Sequence, residues 1–222
     1  MPQRPVFLLA MLRPVKRSIA LAVVVLVAVS AAYWGFASWQ KRTQQAAIAA
    51  AVGEASAALK EGLGRAPAGD EPKRIEAAME KLRAANPTRQ RDLAEAAEIY
   101  LVSARAVVER RAEAARLTQQ ASASRQQLVA HMASRARGEA WIRQATELKK
   151  RMDQAYFDEN VALEALADLL RGLPDSEERI APQVGKGALV EASVVESAAE
   201  QAKADLKRAS SERSTASGLI LR

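Results

Sequence analysis

The chain has 222 residues, with 33 Lys and Arg against 26 Asp and Glu, one histidine and no cysteine. The absence of thiols excludes disulfides, thiolate metal sites and cysteine nucleophiles. Residues 1–42 hold six of the basic residues (Arg4, Arg13, Lys16, Arg17, Lys41 and Arg42) and no acidic one, which leaves 27 basic against 26 acidic residues in 43–222, a net of +1; the body lacks the basic surplus of a nucleic-acid binder, and no nucleic-acid partner is expected.

Residues 1–17 read as a basic tail that includes the short apolar patch Val6 to Leu12, too short to span a bilayer. Residues 18–40 carry no charge. As a helix, Ile19 to Trp39 would extend roughly 31 Å, close to the thickness of a bilayer's hydrocarbon core. Ile19, Leu21, Val25 and Leu26 supply its apolar surface, and Tyr33, Trp34, Phe36 and Trp39 gather at its distal end, where aromatic rings favour the lipid–water interface. A cleaved signal has a shorter apolar region and a small-residue site. Ala28-Val29-Ser30 would serve as one, but the length of the run favours a retained anchor. Arg13, Lys16 and Arg17 outweigh Lys41 and Arg42 across the span, so the N-terminus is expected in the cytoplasm. Arginine outnumbers lysine 23 to 10 and alanine is abundant, which points to a GC-rich bacterial genome. The expected location is therefore a bacterial inner membrane, single-pass, with residues 41–210 in the periplasm.

That body reads as all-α: an elongated, coiled-coil-like helical bundle. Breaks are expected near 61–72, 86–88 and 171–187, where proline and glycine concentrate. Ile48, Val52, Leu59 and Leu63 continue the first helix, and Ile75, Met79 and Leu82 mark a short second one. Leu93, Tyr100 and Val107 recur at helical spacing, followed by Trp141, Leu148 and Met152, and then Leu166 and Leu170. Leu189 and Leu206 belong to a last seam. The polar run Thr118 to Gln127 contains no proline or glycine and favours a continuous or kinked helix, with Gly138 as a second candidate for a bend. Residues 211–222 are expected to fray.

Leu, Ile, Val and Phe make up only about 19% of residues 43–222, near the compositional limit for a packed core. Such a thin seam is marginal alone, so a protein partner or a homo-oligomer is expected in addition to the bilayer.

No catalytic, cofactor-binding or metal-ligating set is read. His131 lacks a nucleophile and an orienting group nearby in the sequence. Asp158, Glu159, Glu164 and Asp168 read as a solvated face. Asp175 and Glu178 after Pro174 resemble a helix start. Gly185 to Gly187 lacks the rest of a phosphate loop and reads as a linker. Trp141, Tyr156 and Phe157 are expected to fill the seam. The function expected is a non-enzymatic, membrane-anchored structural or interaction protein that scaffolds an envelope complex. The alternatives are a sensory ligand-binding bundle and, last, a cell-wall-active enzyme.

Overall fold

The computed structural model describes residues 8–64, 69–134 and 138–218, with side chains from residue 24 onward. Its elements are α1 (Leu8–Gly64), α2 (Glu71–Ala84), α3 (Arg91–Ala133), α4 (Glu139–Val184) and α5 (Ala192–Gly218), with single tight turns of helix at Thr88–Gln90 and Lys186–Ala188. No strand occurs among the described residues. The fold is all-α, and the chain divides into two compact units, 1–44 and 45–222.

The first unit is the opening part of α1. Among the described residues, no helix is long and apolar enough to cross a membrane. The expected span of 18–40 includes residues 18–23, whose side chains lie outside the described ones. The side chains of Ile19 and Leu21, and those of Arg13, Lys16 and Arg17 before the span, are among those outside the described ones.

The second unit is a helical bundle in which neighbouring helices alternate in direction. On the α1–α2 pair, Glu61 meets Arg74 (2.5 Å) and Glu54 meets Lys81 (2.7 Å), so one chain ascends as the other descends. On α2–α3, Arg83 meets Glu98 (2.5 Å) and Glu76 meets Arg105 (3.5 Å), again antiparallel. These exposed pairs are each worth about 0–1 kcal/mol and serve mainly to fix register. α3 and α4 make the most extensive pairing, and α5 returns along α4. Gln45 Nε2 donates to the Gln183 carbonyl (2.8 Å), which places the start of the bundle against the end of α4.

Two apolar clusters fill the bundle. The larger joins Ile48 to Leu63 of α1, Ile75 to Leu82 of α2, Leu93 to Leu117 of α3, Ala162 to Ile180 of α4, and Val190, Val195 and Ala202. The smaller holds Ala121, Leu128, Met152, Ala155, Tyr156, Ala209 and Ala216. Fifteen of the 38 buried apolar side chains among the described residues are alanine. Each buries little area, so the helices gain contact by approaching closely instead of interlocking large groups. α5 shows this most plainly: its fully buried positions, Val195, Ala202, Ala209 and Ala216, recur every seven residues. Gly62 carries the same logic to its limit, because a Cβ there would stand 2.6 Å from Cγ1 of buried Val108.

The helix limits differ from the sequence reading in four places. α1 continues through Glu61 to Gly64, and the break begins only after it. The stretch 88–173 is two helices: 118–127 is helical as expected, but the chain turns between Ala133 and Glu139. Gly138 (φ +139°) supplies backbone geometry there that a residue with a Cβ would resist. Pro174 and Pro182 do not end α4, which runs to Val184 and turns at Gly185 (φ +84°). Asp175 and Glu178 thus lie inside a helix and start none. Both prolines are exposed, and buried Leu173 and Ile180 hold the helix to the core across them. Finally, residues 211–218 are helical, held by buried Ala216; residues 219–222 lie outside the described residues.

Two of the helical glycines of α1 within the bundle, Gly53 and Gly62, predict opposite outcomes. A Cβ added at Gly53 would meet nothing within 4 Å, so Gly53→Ala should stabilise the fold by roughly 0.5–1 kcal/mol through helix propensity alone. Gly62→Ala gains the same propensity but drives a methyl into Val108, at a cost of roughly 1–3 kcal/mol. Urea unfolding followed by circular dichroism should show a higher midpoint for the first variant and a lower one for the second.

Candidate functional site

The residues expected to pack the helices divide by depth. Leu93, Tyr100, Val107, Met152, Leu166 and Leu170 are buried. Leu148, Leu189 and Leu206 are partly buried against the same clusters. Trp141 closes the α3–α4 turn. Its ring stacks on His131 at 5.0 Å, His131 Nε2–H donates to the Trp141 carbonyl (3.0 Å), and Trp141 Nε1–H donates to Ser134 Oγ (2.9 Å). His131 is therefore a group that closes the turn. Phe157 corrects the expectation: it is 56% exposed, whereas neighbouring Tyr156 is buried. Successive residues point about 100° apart around the helix, and here Tyr156 faces the core while Phe157 faces outward.

The carboxylates of α4 separate in the same way. Glu164 and Asp168 are exposed, as expected of a solvated face, but Glu159 is only 1% exposed. It sits where α3, α4 and α5 meet. Thr118 Oγ1 donates to Glu159 Oε1 (2.8 Å), and Arg208 Nη2 approaches the same oxygen at 3.3 Å. One turn away, Tyr156 Oη donates to Glu212 Oε2 (3.0 Å), with Arg125 at 3.7 Å from that oxygen. A further turn brings Arg213 Nε to Asp153 Oδ1 (3.0 Å) and Lys149 Nζ to Asp153 Oδ2 (2.5 Å). Three successive turns of α4 thus present Glu159, Tyr156 and Asp153 to three successive cations or acids of α5.

Electrostatics follow the depth of each group. Burial raises the Glu159 carboxyl above its ordinary value, against the opposing effects of Thr118 and Arg208. Burial works in the same direction at Asp153, but the hydrogen bonds from Lys149 and Arg213 overcome it and hold that group low. Burial, then the bond to Glu212, pushes Tyr156 up to about 12. This layer borders a groove between α3 and α5 that is lined by Arg111, Thr118, Gln119, Ala198, Gln201 and Arg208. Arg111 caps the end of α1 through a 2.6 Å bond to the Leu63 carbonyl; its burial lowers its pKa.

A second polar group crosses the larger cluster. Ser56 Oγ and Tyr100 Oη are 2.7 Å apart in the core, and burial raises the phenol well above its usual range. Glu177 faces this region, and its Oε1 is buried without a hydrogen-bond partner. Among the described residues no group of three or more His, Asp or Glu converges on a common point.

None of these buried acids was distinguishable from its exposed neighbours in the sequence. Glu159 belongs to the acidic run 158–168, and its partners lie 41 and 49 positions away. The spacing Met152, Tyr156, Glu159, Leu163 does place it on the buried stripe, which is the one available signal.

Glu177 gives a testable pH signature. Desolvation raises its folded pKa above the unfolded value. Its contribution is therefore most favourable below the unfolded pKa and is lost as pH rises through the folded one. Glu177→Gln should be more stable than the parent at pH 7, by about 1 kcal/mol. The difference should shrink toward pH 4, as read from thermal unfolding at a series of pH values.

Comparison of the chain with protein-family models, with curated proteins and with solved structures finds no match.

Proposed function

We propose that the chain is a membrane-tethered interaction protein: residues 18–40 anchor it in a bilayer, and the helical bundle of residues 45–218 is the module it presents to a protein partner. The observation that supports this reading is the surface of α1. Val24, Val25, Leu26, Val27, Val29, Tyr33, Trp34, Phe36 and Trp39 are all more than half exposed, from 53% at Val25 to 74% at Trp34. Residues 24–27 are consecutive, so their side chains point around the full circumference of the helix. A helix that is apolar on every side is suited to lipid rather than water. Leaving each such side chain in water forfeits roughly 1.5–3 kcal/mol. Phe36 and Trp39 form a tilted ring pair (5.9 Å) next to Lys41 and Arg42, an order of groups suited to an interface between hydrocarbon and headgroups.

In this reading the basic tail lies in the cytoplasm and the bundle lies on the other side of a bacterial inner membrane. The polar layer around Glu159 holds α3, α4 and α5 in one register, so the exposed faces of the bundle keep a fixed pattern for recognition. The role is that of a scaffold and not of a catalyst.

The full chain expressed in a bacterium should remain in the membrane fraction after an alkaline carbonate wash. Because the chain has no cysteine, Gln154→Cys should be the sole thiol, and it should react with a membrane-impermeant maleimide in cells whose outer membrane is permeabilised. The double variant Val25→Asp, Leu26→Arg should leave the membrane, since each charge near the middle of a span costs roughly 2.5–3.5 kcal/mol. Release of the parent chain by carbonate, or a mature N-terminus near Ala31, would overturn the tether.

A further inference from the structure

The outer face of α4 carries a pattern that the core does not require. Its positions 143, 147, 150, 154, 157, 161, 164, 168, 171 and 175 are all exposed and alternate at spacings of four and three. That is the spacing of a coiled-coil seam, yet nothing in the described bundle covers it. At its middle stand Phe157 and Val161, 56% and 49% exposed. From this we infer that the outer stripe of α4 pairs with the same stripe of a second copy of the chain, antiparallel, about a two-fold axis beside residue 159.

Charge complementarity selects both the occupant and the register. When two such stripes run antiparallel about that centre, Phe157 of each copy faces Val161 of the other. Gln154 then faces Glu164, Lys150 faces Asp168, Glu147 faces Arg171 and Arg143 faces Asp175. Every charged position but Glu164 meets an opposite charge, Glu164 meets an amide, and by symmetry each pair occurs twice. The five pairings also join alternate seam positions, as antiparallel packing of two heptad stripes demands. A parallel arrangement would set each charge against itself. Sliding the antiparallel register by seven residues would place Glu147 against Glu164 and part the two apolar side chains, setting Phe157 against Gln154 and Val161 against Lys150. In the single chain, Asp168 pairs with Arg171 (2.7 Å) and Glu147 with Arg151 (3.3 Å) within α4; these are exposed neighbours on one helix that can share a partner from another copy.

The inference rests on reading the bundle as an interaction module and names its partner. It is independent of the anchor. The small apolar centre implies an association that membrane confinement would favour and salt would weaken.

The test uses full-length chains in detergent micelles. Two variants each carry a single exposed cysteine, Gln154→Cys and Glu164→Cys, in a chain that has none of its own. Oxidation of a mixture of the two should give a covalent dimer containing one of each, and either variant alone should give at least fivefold less. Lys150→Asp introduced into both chains should cut the yield about tenfold, and adding Asp168→Lys to both should restore it. A circular dichroism spectrum matching the parent accompanies each variant, so that loss of folding is seen as such. Equal crosslinking of Gln154→Cys with itself would show parallel pairing and overturn the inference. So would dimers in sedimentation that fail to crosslink here, or folded chains that stay monomeric. If those monomers also resist carbonate extraction, the tether stands and only the self-pairing falls.

Discussion

The bundle depends on α4 remaining one unbroken helix. Like α3 and α5 it contributes to both apolar clusters, with Met152 to Tyr156 in one and the long run Ala162 to Ile180 in the other. Pro174 lies within the second of these. A helix interrupted there would separate Leu170 and Leu173 from Ile180, and the end of α4 would no longer reach Gln45 of α1. Proline removes one backbone hydrogen bond and crowds the preceding turn, at roughly 3 kcal/mol in an ordinary helix. Burial of Leu170, Leu173 and Ile180 offsets that cost, since each fully buried aliphatic side chain contributes roughly 1.5–3 kcal/mol. Tertiary packing therefore decides the backbone, and the local signal is overruled.

Around that helix the core is built from small groups, which leaves a problem that apolar packing alone does not solve. Alanine seams are smooth, and one helix can slide along another by a turn with little loss of contact. The polar groups remove that freedom. Glu159 accepts from Thr118 of α3 and lies beside Arg208 of α5, so both flanking helices are indexed to one atom of α4. Sliding either by a turn would strip a buried carboxylate of one of its two partners, which costs more than the contact itself contributes. Ser56 and Tyr100 index α1 to α3 in the same manner. Stability in this bundle comes from many shallow contacts, and specificity from a few buried polar ones.

This division explains what could be read from the sequence. Helix content and the apolar stripes were legible, because Leu93, Tyr100, Val107, Met152, Leu166 and Leu170 sit at periodic positions and all are buried. The ends of helices were less so. Gly138 and Gly185 mark true turns, with backbone angles suited to glycine, yet Pro174 and Pro182 look like equally strong breaks and are not. The difference lies in what their neighbours touch. Phe157 resembles a core ring by its chemistry and only its phase on the helix shows otherwise. Glu159 resembles its acidic neighbours, and its burial depends on partners far away in the chain.

The first and last parts of the bundle meet, and this bears on how it is made. Gln45 and Gln183 are separated by 138 positions, and the larger cluster takes residues from Ile48 through to Ala202. The opening helix thus waits for partners that emerge late from the ribosome. The α3–α4 hairpin needs only a five-residue turn to close and can assemble as soon as it is exposed, since short loops close at low entropic cost. During that interval the seam of α1, from Ile48 to Leu63, has only α2 and the nearer part of α3 to cover it. The contacts that lock the whole bundle are thus the last to become available.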